Sequence, residues 1–197
     1  MDLNKTIRNL ESRGFTVRHF ASGAEAADYL TEAVQNTTVG IGGSKTIDQL
    51  GLYDRLLERG NTVYWHWREP GTPTRDKATA APVYFSSANA ISENGEIVNI
   101  DGTGNRVAAQ VYGQKKLYIV AGTNKICPDL ESAIYRARNT AAVQNAQRFP
   151  KLKTPCKIDG KCHDCRIRGV CNALVILMKP VNDMDVEIVL IDEELGL

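Results

Sequence analysis

The residues best equipped for chemistry lie near the C-terminal end, where Cys156, Cys162, Cys165 and Cys171 stand in the pattern C-x5-C-x2-C-x5-C. Four thiolates at such spacing suit a metal centre, because a structural zinc and an iron–sulfur cluster both take four sulfur ligands. The intervening Lys157, Asp159, Gly160, Lys161, Asp164 and Arg166 are charged or small and supply no apolar core, which argues against four merely buried cysteines. A metal-binding segment is therefore expected over residues 154–172. His163 sits beside Cys162, too close in sequence to share the same metal easily, and is assigned a solvated or supporting place. Cys127, ahead of Pro128, reads as a small buried residue at a strand end.

A second group of candidates is a set of glycine-rich turns behind short apolar runs. Gly42, Gly43, Ser44 and Thr46 follow Val39 and Ile41, and bare amides next to hydroxyls are what a strand-to-helix loop uses to cradle phosphate. The spacing is neither a Walker A loop nor a complete GxGxxG. Asp101, Gly102 and Gly104 precede a helix starting near Asn105, so their amides, with Asn105 and Arg106, are expected to surround an anion. Asn89, in the loop Ser87 to Asn94, and Asn124 with Lys125, behind the apolar run Leu117 to Ala121, complete the set. The expected ligand is a small anion: a phosphate, a carboxylate or a nucleotide. Glu93, within Ser92-Glu93-Asn94-Gly95, has two readings: a solvated residue of a hairpin turn with Asn94-Gly95 at positive φ, or a carboxylate nucleophile.

The elements that must position these groups alternate in period. Leu3, Ile7 and Leu10 fall on one helical face, Phe15 to Phe20 reads as a strand, and Ser22 with Glu25 forms a capping box for a helix reaching Gln35. Two helical pieces, Ile47 to Gly51 and Leu52 to Arg59, precede the strand TVYWHW, in which His66 is a strand histidine and Trp65 and Trp67 cover a sheet face; His19 is read the same way. Arg68 to Thr74, with Pro70, Gly71 and Pro73, is expected as a loop, and the longest helix runs from Pro128 to Arg148. Leu174 to Met178 and Val186 to Ile191 form a last, antiparallel pair of strands. Repeated βα units predict an α/β fold: a three-layer α/β/α sandwich with a mostly parallel sheet and the cysteine-rich insertion before the last strands.

Whole-chain properties narrow the classes. Among 197 residues, 24 Lys and Arg balance 23 Asp and Glu for a net charge of +1, and no basic stripe points to nucleic acid or to a membrane surface. The longest apolar run, Ala173 to Met178, is too short to span a bilayer, and the N-terminus carries no apolar targeting stretch. A cytoplasmic protein follows, with reduced cysteines. Oligomeric state is left open by the sequence.

The blocks GIGGSKT, SANAIS-ENG-EIVNIDGTGNRVAA and IVAGTNKI followed by PDLESAIYRAR, kept in order over nearly the full chain, resemble the lactate-utilisation (LUD) domain family, in its short stand-alone form. The resemblance implies one LUD-type domain over residues 1–197, with the Rossmann-like fold of the NagB/RpiA/CoA-transferase-like superfamily and a ligand site at the strand ends. It also implies an accessory or electron-transfer part in the oxidation of L-lactate or a similar 2-hydroxy acid, with iron–sulfur redox subunits as partners. On that ground a [4Fe-4S] cluster is preferred, with zinc the alternative. Ser92-Glu93-Asn94-Gly95 further resembles the signature of acyl-CoA transferases, but Ile91 and Glu96 depart from it on either side, and the turn reading of Glu93 is preferred. The alternatives are an acyl-CoA or sugar-phosphate type transferase or isomerase using Glu93, and a non-catalytic anion- or ligand-binding protein with structural zinc.

Overall fold

Side-chain caps set where the helices begin. In the computed structural model, which describes residues 2–197, Asp2 caps α1 (Leu3–Ser12) by accepting from the Lys5 amide at 2.9 Å. The chain continues through β1 (Thr16–Phe20), α2 (Gly23–Ala33), β2 (Thr38–Ile41), α3 (Lys45–Gln49), α4 (Leu52–Glu58), β3 (Thr62–Trp65) and α5 (Thr72–Thr79). Next come β4 (Val83–Ser86), the hairpin of β5 (Ala90–Ser92) and β6 (Ile97–Asp101), α6 (Asn105–Val111), β7 (Lys116–Gly122) and a 3₁₀ turn (Thr123–Lys125) leading into β8 (Ile126–Cys127). A long helix follows, in which α7 (Leu130–Arg136) passes through a π-helical turn, Ala137–Ala141, into α8 (Ala142–Gln147). The short α9 (Cys156–Asp159), then β9 (Ala173–Leu177) and β10 (Asp185–Ile191), complete the order.

Six strands form an all-parallel sheet in the order β1-β10-β7-β4-β2-β3. Its central strands are apolar on both faces, as a sheet covered on both sides requires. Leu117, Ile119 and Ala121 of β7 and Val186, Ile188 and Leu190 of β10 join a core with Leu10 of α1, Ala78 of α5 and Ala109 of α6. Tyr118, Val120, Val189 and Ile191 point the other way, into a core with Leu30 of α2, Ile47 of α3 and Leu52 and Leu56 of α4. The result is the expected three-layer Rossmann-like sandwich.

A second, mixed sheet in the order β8-β5-β6-β9 lies over the α1, α5 and α6 layer. Ile91, Ile97 and Leu177 join that core, while Ala90, Val98, Ile100 and Cys127 pack under Ala133, Ala137 and Ala142 of the long helix. The last two strands are therefore not an antiparallel pair. β9 pairs with β6, and β10 inserts between β1 and β7, where its continuous apolar run finds cover on both faces. The Pro- and Gly-bearing stretch after β3 is not all loop either: Pro73 stands in the first turn of α5, where its missing amide costs no hydrogen bond. Among the described residues, no helix is long and apolar enough to cross a membrane.

The strand order reverses at one place. From β2 the chain passes over the α3 and α4 face to β3 at the sheet edge, whereas β4, on the other side of β2, sends its connection toward the α6 face. Diverging connections leave a crevice beyond the carboxyl ends of β2 and β4, the usual ligand position in an open α/β sheet.

Candidate functional site

A cavity of about 470 Å³ opens at that crevice. Gly43, Ser44 and Thr46 behind β2, Ser87 and Asn89 behind β4, Asp101, Gly102, Asn105 and Arg106 at the start of α6, and Lys125 behind β7 all line it, so four expected loops meet. Gly42, Gly104 and Asn124 do not line it. Gly42 is held in the frame, donating its amide to the Phe85 carbonyl at 3.0 Å and accepting from Trp65 Nε1 at 3.0 Å. Asn124 Oδ1 accepts from the Leu195 amide at 3.3 Å.

The glycine turn before α6 is organised differently from the anion cradle expected of it. Its anion is Asp101 itself, whose Oδ1 accepts from the amides of Thr103 at 2.9 Å and Gly104 at 2.7 Å. Arg106 is equally committed: Nε donates to Asp101 Oδ2 at 3.1 Å, Nη1 to the Ser87 carbonyl and Asn99 Oδ1, and Nη2 to the Ile100 carbonyl at 2.7 Å. Both side chains are buried, so the pair is a clamp joining the loop behind β4 to the end of β6. Ser44 likewise serves as the cap of α3, accepting from the Ile47 amide at 3.2 Å.

The polar groups left over are others. Among the described residues, Asn105 Nδ2 and His66 Nδ1 are buried without a hydrogen-bond partner, and both side chains line the cavity. Such atoms are uncommon in folded proteins and mark places where a ligand or water completes the network. Burial, with Arg75 nearby, lowers the His66 pKa and so favours the neutral ring. His66 and Trp67 lie beyond β3, which stops at Trp65 because the amides of Arg68 and Glu69 turn back onto the Trp65 carbonyl, both at 2.9 Å. Neither was expected in the site. Arg148 lies over the Trp67 ring at 4.1 Å and, with Lys151, brings positive charge to the far wall.

Lys125 is the most deeply buried basic side chain of the cleft. Its side chain is 3% exposed, and Nζ donates to Thr46 Oγ1, Ser87 Oγ and the Ala88 carbonyl, each at 3.1 Å. Burial, reinforced by Arg136 and Arg106, lowers its pKa to about 7.

Glu93 lies outside the cleft. Its carboxylate accepts from the Asp2 amide at 3.0 Å and from Lys5 Nζ at 3.1 Å, which holds its pKa below the usual carboxylate range and ties the hairpin to the start of α1. The turn is not type I′, since Gly95 takes φ +91° while Asn94 stays outside the positive-φ set. The Gly95 amide closes it onto the Ser92 carbonyl at 2.8 Å, a three-residue loop with its glycine in the left-handed region. Glu93 is thus neither solvated, at 8% exposed, nor placed to attack a ligand in the cleft.

The four cysteines line a second cavity of about 290 Å³ with His163, Asp164 and Arg138. Burial raises the Cys171 pKa, and the nearby thiols of Cys165, Cys162 and Cys156 raise it further. Cys156 opens α9 while the other three lie on irregular backbone; among the described residues, no three His, Cys, Asp or Glu side chains form a group able to hold a metal ion. Arg138 stands on the π-helical turn, beside Cys162, and donates to Asp164. His163 bonds Asp159 at 2.9 Å. The two cavities share Ile100, Ala142 and Val170 as a common wall. They are also joined directly: the Asn172 side chain donates from Nδ2 to the Gly102 carbonyl at 2.7 Å, and a Cβ on Gly102 would meet the Gly169 carbonyl at 2.7 Å, so only glycine lets the cysteine segment pack so closely.

Fold and strand-end cleft together define a Rossmann-like α/β/α domain. The LUD domain family matches residues 3–178, and the chain belongs to that family. A crystal structure of a DUF162 family protein from Deinococcus radiodurans is similar over 96% of this chain and 95% of that one, with a TM-score of 0.55 at 11% sequence identity. At that identity the likeness concerns the fold. No curated protein matches the chain.

Proposed function

We propose that the chain is an electron-transfer component in the oxidation of L-lactate or a related 2-hydroxy acid, with a small anionic ligand in the strand-end cleft and an iron–sulfur cluster on Cys156, Cys162, Cys165 and Cys171. The observation that carries this reading is the common wall of the two cavities, by which a cleft with basic residues borders a pocket lined by all four cysteines. A cluster there would exchange single electrons with redox subunits carrying clusters of their own. Arg138, beside Cys162, would offset the negative charge of four thiolates. A structural zinc, which takes four sulfurs at about 2.3 Å from one point, is the alternative occupant of the same cysteines.

The ligand side rests on Arg148 and Lys151 and on the unpartnered amide of Asn105, while the Asp101 carboxylate in the cleft is neutralised by Arg106. Spectroscopy on anaerobically isolated protein tests both halves together. A visible chromophore that bleaches on reduction, and whose spectrum changes when a 2-hydroxy acid is added, is the expected result. A chromophore indifferent to every anion tried would separate the two cavities and defeat the reading.

A further inference from the structure

We propose that Lys125 is a nucleophile that forms an imine with a small carbonyl compound bearing an anionic group; this rests on the reading of the strand-end cleft as an anion site. A buried lysine that serves only the fold is ordinarily paired with a carboxylate. Lys125 has none among its partners, which are two hydroxyls and a carbonyl at 3.1 Å. The charged groups that lower its pKa are Arg136, on α7, and Arg106, whose own carboxylate partner is Asp101. Two cations and a dry setting favour the free amine, which is the form that attacks a carbonyl. Lys125 also lines the cavity.

The surroundings supply the rest of the chemistry. Thr46 Oγ1 and Ser87 Oγ lie 3.2 Å apart, each within hydrogen-bond reach of Nζ, and form a relay for protons. Attack of the Nζ lone pair on the carbonyl carbon makes a C–N bond and moves the C=O π pair onto oxygen, which takes a proton from a relay hydroxyl. The hydroxyl regains its proton from Nζ. Loss of the new hydroxyl group with the remaining Nζ proton releases one water and leaves C=N, with nothing oxidised or reduced. Gly196 keeps room beside the amine, since a Cβ there would meet Nζ at 2.6 Å. Asn105 Nδ2, without a protein partner, and Arg148 are the donors available to the anionic group.

The test uses the wild-type chain near neutral pH with pyruvate, glyoxylate or glycolaldehyde phosphate, each with and without cyanoborohydride, followed by peptide mass spectrometry. Thermal stabilisation by the same compounds is read without reductant. An exposed lysine is a free amine in fewer than about one molecule in a thousand at pH 7, so a reduced adduct should favour Lys125 over the exposed lysines by about tenfold or more. Inorganic phosphate should suppress it. Thermal stabilisation without an adduct on Lys125 would overturn the imine and leave the anion cleft standing. Neither stabilisation nor adduct would overturn both, and adducts confined to exposed lysines would overturn the imine.

Discussion

Replacing Lys125 by Met isolates the electrostatics of the cleft, because the pKa of about 7 in the folded chain against 10.5 for the free side chain makes stability depend on pH in a defined direction. Between these values the folded chain binds fewer protons than the unfolded one, so wild-type stability rises with pH across that window, and the full penalty of the buried ammonium is felt below pH 7. At about 1.4 kcal/mol per pKa unit the penalty is about 5 kcal/mol, of which about 3 kcal/mol is relieved by pH 9.5. Lys125→Met removes the penalty together with three hydrogen bonds, to Thr46, Ser87 and Ala88, worth about 1 kcal/mol each. The variant should therefore be more stable than wild type by about 2 kcal/mol at pH 6 and less stable at pH 9.5, the two curves crossing near pH 8. Urea unfolding followed by circular dichroism at five or six pH values measures the difference, in which all other titrating groups cancel. A constant difference across the range would show that the amine stays charged and would refute the reasoning.

Three further outcomes are expected. Arg106→Ala should destabilise the fold by about 3–5 kcal/mol in denaturant titrations, because it strands Asp101 and the Ile100 carbonyl in a buried place, whereas a mere ligand-binding arginine would leave stability nearly unchanged. Glu93→Gln should speed hydrogen exchange in the first turn of α1, and the wild-type protection there should fade as pH drops through the depressed Glu93 pKa, since a carboxylate of lowered pKa stabilises only while ionised; incubation with acyl-CoA donors should leave Glu93 unmodified by mass spectrometry. Asn172→Ala, which removes the bond to the Gly102 carbonyl, should loosen the cysteine segment and weaken ligand binding in the cleft by about fivefold to tenfold in calorimetry, and unchanged affinity would argue against coupling of the two cavities.

The layers were legible because local pattern carries them: the double-faced apolar runs of β7 and β10 and the Ser22 cap can be read without knowing any partner. The pairing of β9 with β6, and of β10 with β1 and β7, depends on contacts remote in sequence, which no local pattern encodes. In the site, four loops converge where glycine and hydroxyl residues pointed, yet Asp101 and Arg106 satisfy each other and the amides between them, so two residue types that advertise ligand binding became a frame. Residue type alone does not reveal such mutual neutralisation. His66 and Trp67 escaped notice because their alternation with Trp65 mimics a strand that in fact ends sooner. The π-helical turn that carries Arg138 to the cysteine cavity has no signature in ARNTA, although such turns recur at functional sites.

The most direct test of the account is the iron and acid-labile sulfide content of protein isolated without oxygen. One four-iron cluster on the four cysteines predicts about four iron and four sulfide per chain. Both should be lost in Cys162→Ala and in Cys165→Ala, while the parallel sheet, whose cores lie apart from residues 154–172, stays folded. A colourless protein carrying zinc or no metal, or a cysteine variant that keeps its iron, would contradict the account.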